Sequence, residues 1–453
     1  AGLLLYLYSR CLRSTLMVIA SSIIAIVWQL GILASLGYSL DPYSILVPFL
    51  VFAIGVSHGA QKLNGILQDI GRGSDRYVAA RYTFRRLFLP GVTALLSDGV
   101  GFAVLMIIQI PVIQDLAITA SVGVLVLIFT NLILFPVVLS YFGVTKKAVQ
   151  RAQRPMPTME SSHGLWRFLL SFTQRGRAIT AIVIAALMAV GGFMVSQNLQ
   201  IGDLDPGAPE LRANSRYNQD VRYINDNYST SSDIFVVIVR SPADGCIDYE
   251  ALSLADELEA RLREVQGVED VRGLNSLVRQ TLLGLSEGYI KFNALFRNQD
   301  TINYGVTGLV PLGFVNTACS HWPMLIYLAD HKAATLQRVV ETLDSFNADF
   351  QTPKVEFLGA AGNAGFEAAT NIVVKKANRD MLFYVYAAVT VLCLLTFRSI
   401  AAVICAVLPL MLTSILCEAL MVWLGIGVKV ATLPVIALGV GIGIDYALYV
   451  LSV

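Results

Sequence analysis

Eight apolar runs, at roughly 14–37, 43–67, 88–110, 116–142, 178–197, 380–397, 400–424 and 430–453, constrain this chain more than any other feature. At about 1.5 Å per residue, a helix of about 20 residues crosses the hydrocarbon core of a bilayer. Residues 1–9 read as the end of one more such helix. Only 14% of the residues are charged, where soluble domains carry about 25%, and the deficit is concentrated in the runs. The chain is therefore expected to be a polytopic α-helical membrane protein. A net charge of +1 gives no reason to expect nucleic acid as a partner.

Loop charges set an orientation. Arg10 and Arg13 lie in the first short loop, Arg72, Arg76, Arg81, Arg85 and Arg86 in the third, and Lys146, Lys147, Arg151, Arg154, Arg167, Arg175 and Arg177 in the fifth. The second and fourth carry only Asp41 and Asp115. The alternation fits cytoplasmic basic loops. The polar stretch 198–378 then falls outside the cytoplasm and is long enough to fold alone. The expected divisions are a first transmembrane block at 1–145, a basic cytoplasmic linker at 146–177, a span at 178–197, an extracytoplasmic domain at 198–378 and further spans at 379–453. Within the linker, Leu165, Trp166, Phe168, Leu169 and Phe172 share a helical face, which suits an interfacial helix; a soluble linker is the alternative. Residue 1 falls inside an apolar run and Val453 cuts off the last span, so a longer parent protein is expected.

In the polar domain, Asp233–Val239, Val268–Leu274, Pro323–Ala329 and Lys354–Leu358 read as strands. Tyr249–Val265 and Ala333–Phe350 read as helices. The order is a split βαββαβ, the ferredoxin-like pattern. Residues 276–318 form an insertion with no assigned structure. Cys246 and Cys319 are the only cysteines in this domain; outside the cytoplasm a disulfide between them is expected. Cys11, Cys393, Cys405 and Cys417 lie in or beside spans and read as packing residues.

Asp445 stands deep in the last run, within Gly439-Val-Gly441-Ile-Gly443-Ile-Asp445-Tyr446. A carboxylate at that depth costs about 2.5–3.5 kcal/mol on insertion scales and usually marks an ion or proton path. A packing carboxyl is the plainer alternative. The small residues Gly439, Gly441, Gly443 and Gly55 are expected to let helices approach closely. The run also belongs to an internal repeat. Arg13-Ser14 matches Arg398-Ser399, Leu36-Gly37 matches Leu424-Gly425, and Ala53–His58 falls on Gly441–Tyr446. Ser57 and His58 thus take the places of Asp445 and Tyr446, at similar depth. Duplicated transporters place coupling sites at the repeat interface. Asp98 and Glu418 are further intramembrane carboxyls, and Lys62 is expected to snorkel to the cytoplasmic face.

These features resemble the RND superfamily of transporters, and most closely its MMPL-like branch of hydrophobic-compound exporters. The motifs are Gly441–Tyr446, Leu204-Asp-Pro-Gly-Ala-Pro209, and the polar helix from Pro90 through Asp98 and Gly101 to Phe102. By family order the spans correspond to the end of helix 2 through helix 10. The resemblance implies export driven by a proton gradient without another cofactor, ferredoxin-like porter domains, and a trimer or a monomer. Many relatives carry Asp-Tyr in both repeats. Here the pseudo-twofold sets His58 against Asp445 and Ser57 against Tyr446, and a His–Asp pair suits a proton relay.

The expected relay is Asp445, His58, Tyr446, Ser57 and Asp98. The expected location is the bacterial inner membrane. Expected partners are a hydrophobic small-molecule or lipid substrate, membrane lipids, further copies of the chain and periplasmic proteins. A sterol-sensing or lipid-receptor protein of the same fold and a protein-translocation accessory are the competing readings. No Walker A run, nucleophile elbow or metal spacing of the four histidines points to an enzyme.

Overall fold

The computed structural model describes residues 1–152, 164–204, 207–208, 211–212, 214–228, 231–350 and 352–452. His163 and half of the Leu204–Pro209 motif lie outside them, as do the side chains of Leu165 and Trp166. Among the described residues, eight helices are long and apolar enough to cross a membrane. The chain is a multi-pass membrane protein.

Two compact units are formed. The first holds Ala1–Leu199, Lys376–Leu424 and Val430–Val453; the second holds Gln200–Lys375 and Gly425–Lys429. The short Gly425–Lys429 segment was expected with the spans. It belongs to the second unit because Val428 exchanges backbone hydrogen bonds with Gln200 and Gly202, at 2.9 and 2.8 Å, and Lys429 pairs with Asp203 at 2.6 Å.

The first unit opens with α1 (Gly2–Ser9), α2 (Leu12–Ser35), α3 (Val47–Gly71) and α4 (Arg76–Ala103). Next come α5 (Pro111–Leu127), a π-helical turn over Ile128–Leu134, and α6 (Phe135–Phe142). After α7 (Lys146–Ala152) and α8 (Leu165–Ser171) comes α9 (Arg175–Ser196). Phe168, Leu169 and Phe172, from the expected interfacial face, are exposed at α8.

Helix α4 starts earlier than its apolar run suggests. Asp75 caps it by accepting from the Tyr77 amide at 3.0 Å, which satisfies one of the free N–H groups of the first turn. Arg76, Arg81, Arg85 and Arg86 therefore sit on helix, not in a loop. Pro90 lies inside α4, a position membrane helices tolerate when neighbours satisfy the freed backbone.

The second unit holds α10 (Arg216–Asn227), β1 (Asp233–Arg240), α11 (Tyr249–Arg263), β2 (Val268–Arg272), α12 (Leu274–Leu285) and α13 (Gln299–Thr307). It continues with β3 (His321–Leu328), α14 (Ala333–Asp349) and β4 (Glu356–Ala361). The strands form one antiparallel sheet in the order β2-β3-β1-β4. Alternate residues Phe235, Val237 and Val239 of β1 are buried with Leu252 and Leu258 of α11 and Leu336 and Val339 of α14. That is the period-two pattern of a sheet with one covered face. The unassigned 276–318 stretch supplies most of α12 and all of α13, whose Val278, Leu282, Ile302 and Val306 extend this core.

Cys246 and Cys319 are joined by a disulfide, with Cα atoms 5.2 Å apart across 73 residues. The register explains the proximity. β1 and β3 are antiparallel neighbours with Arg240 opposite His321, so the end of one strand and the start of the other share an edge.

Helix α15 (Gly362–Phe397) leads out of the second unit, and α16 (Ile400–Leu424) and α17 (Leu433–Ser452) complete the first. α17 and α3 both pack on α4. This shared neighbour brings the two repeat halves together.

Candidate functional site

His58 lies on α3 and Asp445 on α17, 1% and 6% exposed. His58 Nε2 stands 3.1 Å from Asp445 Oδ2, and His58 Nδ1 stands 2.9 Å from the Tyr449 hydroxyl. Asp98, 2% exposed on α4, joins them: donor atoms of His58, Asp98 and Asp445 all lie within 4.8 Å of one another. Lys62 completes the group. Its ammonium donates to the Tyr449 hydroxyl at 3.4 Å.

Helical spacing explains the membership. Residues four apart share a face, so Lys62 follows His58 and Tyr449 follows Asp445 into the same space. Tyr446, one residue from Asp445, is turned about a quarter of the way round the helix. It is 62% exposed, and Tyr449 occupies the position expected for it. Ser57 is only partly buried for the same reason. Lys62 is 2% exposed and does not snorkel, because the Tyr449 hydroxyl and the Asp445 charge hold its ammonium inside.

The glycines divide. A side chain at Gly441 would touch Asp98 Cα at 3.6 Å, so its absence seats α17 against α4 beside that carboxyl. Gly443 packs against Leu410 of α16, where a Cβ would come within 2.5 Å. Gly55 packs against Ser22, Leu127 and Asn131. A Cβ at Gly439 would meet none of the described residues within 4 Å. Gly91 was not singled out by its sequence. A Cβ there would come within 3.0 Å of Lys62 Nζ and 3.3 Å of the Tyr449 hydroxyl, so Gly91 makes the room in which they meet.

The imidazole can serve either proton state without turning. When neutral, it donates from Nε2 to Asp445 and accepts at Nδ1 from Tyr449. When protonated, it donates from both nitrogens, and the tyrosine hydroxyl reorients. Lys62, Tyr449, His58 and Asp445 thus form a directed line of donors ending on a carboxylate. Both Asp98 oxygens and Asp445 Oδ1 have no hydrogen-bond partner among the described residues, which leaves them open to a proton. The ligand atoms of His58, Asp98 and Asp445 could also face a cation.

Glu418 lies apart from this cluster. It is half-buried on α16, one turn from Ser414, which hydrogen-bonds Tyr386 at 2.6 Å. Asn131, fully buried on the π-helical turn, has no partner for its amide among the described residues. π-turns often mark functional positions.

The second unit holds a cleft of about 960 Å³ beside β4. Phe235, Leu343, Phe350, Phe357 and Ile372 supply apolar walls, with Asp344 at a polar margin. That size and lining suit a small apolar ligand. Two buried titratable groups in this unit also escaped the sequence. His331 Nδ1 meets Asp233 at 3.0 Å, and this bond lifts the histidine to about 9. Glu259 is fully buried. Burial pushes it up to about 7, against the Ser276 hydroxyl and the Arg263 and Arg279 charges.

No protein-family model matches the chain, and no curated protein matches it. Among solved structures it is similar to the hedgehog release protein Disp from the water bear Hypsibius dujardini. The identity is 14% and the TM-score 0.63, over 98% of this chain and 58% of that one. It is also similar to SecDF, a translocon-associated membrane protein from Thermus thermophilus, at 14% identity and TM-score 0.49, over 97% of this chain and 47% of that one. The likeness to Disp shows a shared fold, and this chain spans less than two thirds of the length of Disp.

Proposed function

We propose that this chain is part of an RND-superfamily secondary transporter of the MMPL-like branch, exporting a lipid or other hydrophobic compound from a bacterial inner membrane. The observation that carries the reading is the His58–Asp445 pair, 3.1 Å apart and buried between the two halves of a repeat. Asp98, Lys62 and Tyr449 extend it into a relay of groups that can pass a proton. Each proton moving down 100 mV yields about 2.3 kcal/mol, enough to bias a conformational cycle.

The sheet order β2-β3-β1-β4 supports reading the second unit as a ferredoxin-like porter domain. The alternating basic loops support placing that unit outside the cytoplasm. The apolar cleft beside β4 is where the hydrophobic part of a substrate would rest. Disp is described as a hedgehog release protein; export by this chain is the corresponding proposal. The proton gradient is the only energy source invoked, and periplasmic proteins and further copies of the chain remain the proposed partners.

The test uses the full-length protein in vesicles with an imposed pH gradient. Asp445→Asn keeps the shape and removes the titratable group. It should abolish proton-coupled transport while expression and folding persist. Wild-type transport by that variant would refute the relay and favour a receptor of the same fold.

A further inference from the structure

Two helical stripes face one another at one end of the first unit. Tyr77, Ala80, Arg81 and Phe84 follow the i, i+3, i+4, i+7 spacing on α4. Ile133, Pro136, Val137 and Ser140 follow the same spacing on the π-turn and α6. Together they enclose a groove of about 280 Å³. Its polar members, Tyr77, Arg81 and Ser140, lie toward the start of α4 and the end of α6. Phe84 and Ile133 lie deeper, so one end of the groove is polar and the other apolar.

We propose that this groove binds one anionic phospholipid, with the phosphate on Arg81 and an acyl chain along Phe84, Ile133 and Val137. Charge complementarity selects that occupant. Arg81 is exposed and makes no ion pair among the described residues. The carboxylates nearest in sequence are engaged elsewhere. Asp69 takes Arg72, Arg86 and Thr83, and Asp75 caps α4. Arg85, one turn beyond Arg81, adds a second exposed cation. Basic pockets between membrane helices recruit anionic headgroups in this way.

The aromatic rim fits the same depth. Tyr77 packs edge-on against Tyr141, with ring centroids 5.8 Å apart, and both are exposed. Tyrosines collect where headgroups meet acyl chains. Ile133 and Val137 are exposed on the groove's apolar wall, and Leu89 and Phe129 are exposed further along the same helices. A soluble anion would gain nothing from that apolar floor. The proposal rests on α4 and α6 spanning a membrane and is independent of the proton relay.

The test is native mass spectrometry of the full-length protein in detergent. It is titrated with phosphatidylglycerol or with phosphatidylcholine of matched chains. The wild type should retain phosphatidylglycerol preferentially. Arg81→Gln should cut that preference about fivefold, the weight of one arginine near anionic lipid. Ser140→Trp should fill the groove and remove the adduct while Arg81 stays in place. Thermal melts of both variants report folding, and either variant alone suffices for the test. Equal retention of the two lipids by the wild type, or an unchanged preference in a folded variant, overturns the proposal. So does displacement of the lipid by glycerol phosphate at equal concentration, which would mark a site for a free anion. Absence of any adduct on the wild type would show the groove covered by protein and overturns it equally.

Discussion

The Lys62 ammonium on α3 donates to the Tyr449 hydroxyl on α17 at 3.4 Å, in space left open by Gly91 on α4. Three helices therefore hold one polar contact, and that contact leads through His58 to Asp445. A cation placed there offsets one of the two carboxyls.

Lys62→Met should remove that offset and stop proton-coupled transport, with the protein still inserted and folded. Lys62→Arg should recover only part of the rate, because its broader guanidinium has to share the room beside Gly91. Proton uptake by reconstituted vesicles measures both. Full activity in Lys62→Met would exclude the lysine from the relay.

His58→Ala should slow transport and change its pH profile, because the relay loses the group that bridges Tyr449 and Asp445. His58→Gln, which can still hydrogen-bond Asp445, should keep the fold but not the profile. Transport rates measured from pH 5.5 to 8.5 decide the matter; a profile superimposable on the wild type would count against His58.

Stability of the second unit should fall as pH rises. Glu259 and His331 both hold protons more tightly when folded, at about 7 and about 9. Each contributes fully below its unfolded value, about 4.5 for Glu and 6.5 for His. The Glu259 contribution is lost from there up through pH 7, and the His331 contribution from about 6.5 up through 9. The histidine contributes about 3 kcal/mol at most. Thermal melts across this range should show a declining Tm, and His331→Gln should flatten its upper half. A Tm that climbs with pH over the interval contradicts the assignment.

Reduction of the Cys246–Cys319 bridge should destabilise the same unit by about 4 kcal/mol, the loop-closure value for residues 73 apart in sequence. Alkylation followed by mass spectrometry under non-reducing conditions should find neither thiol free. Two labelled cysteines in folded protein would remove the bridge from the description.

Much of the architecture is legible in run lengths and periods. An apolar stretch long enough to cross a bilayer has to be helical there, and alternation over Phe235, Val237 and Val239 has to mark a sheet face. The repeat overlay likewise set His58 opposite Asp445, because equal distance along matched helices means equal depth. Which neighbours joined that pair could not be read along the chain. Lys62 looked like a snorkelling residue and Tyr446 like a relay member, since linear distance says nothing about helix rotation. Packing on α4 turned Lys62 and Tyr449 inward, left Tyr446 outside, and set Gly91 where a Cβ would crowd Lys62 and Tyr449, while a Cβ at Gly439 would meet none of the described residues within 4 Å. Helix faces are periodic in the sequence, but the choice of which face meets which partner depends on side chains from helices far apart in the chain.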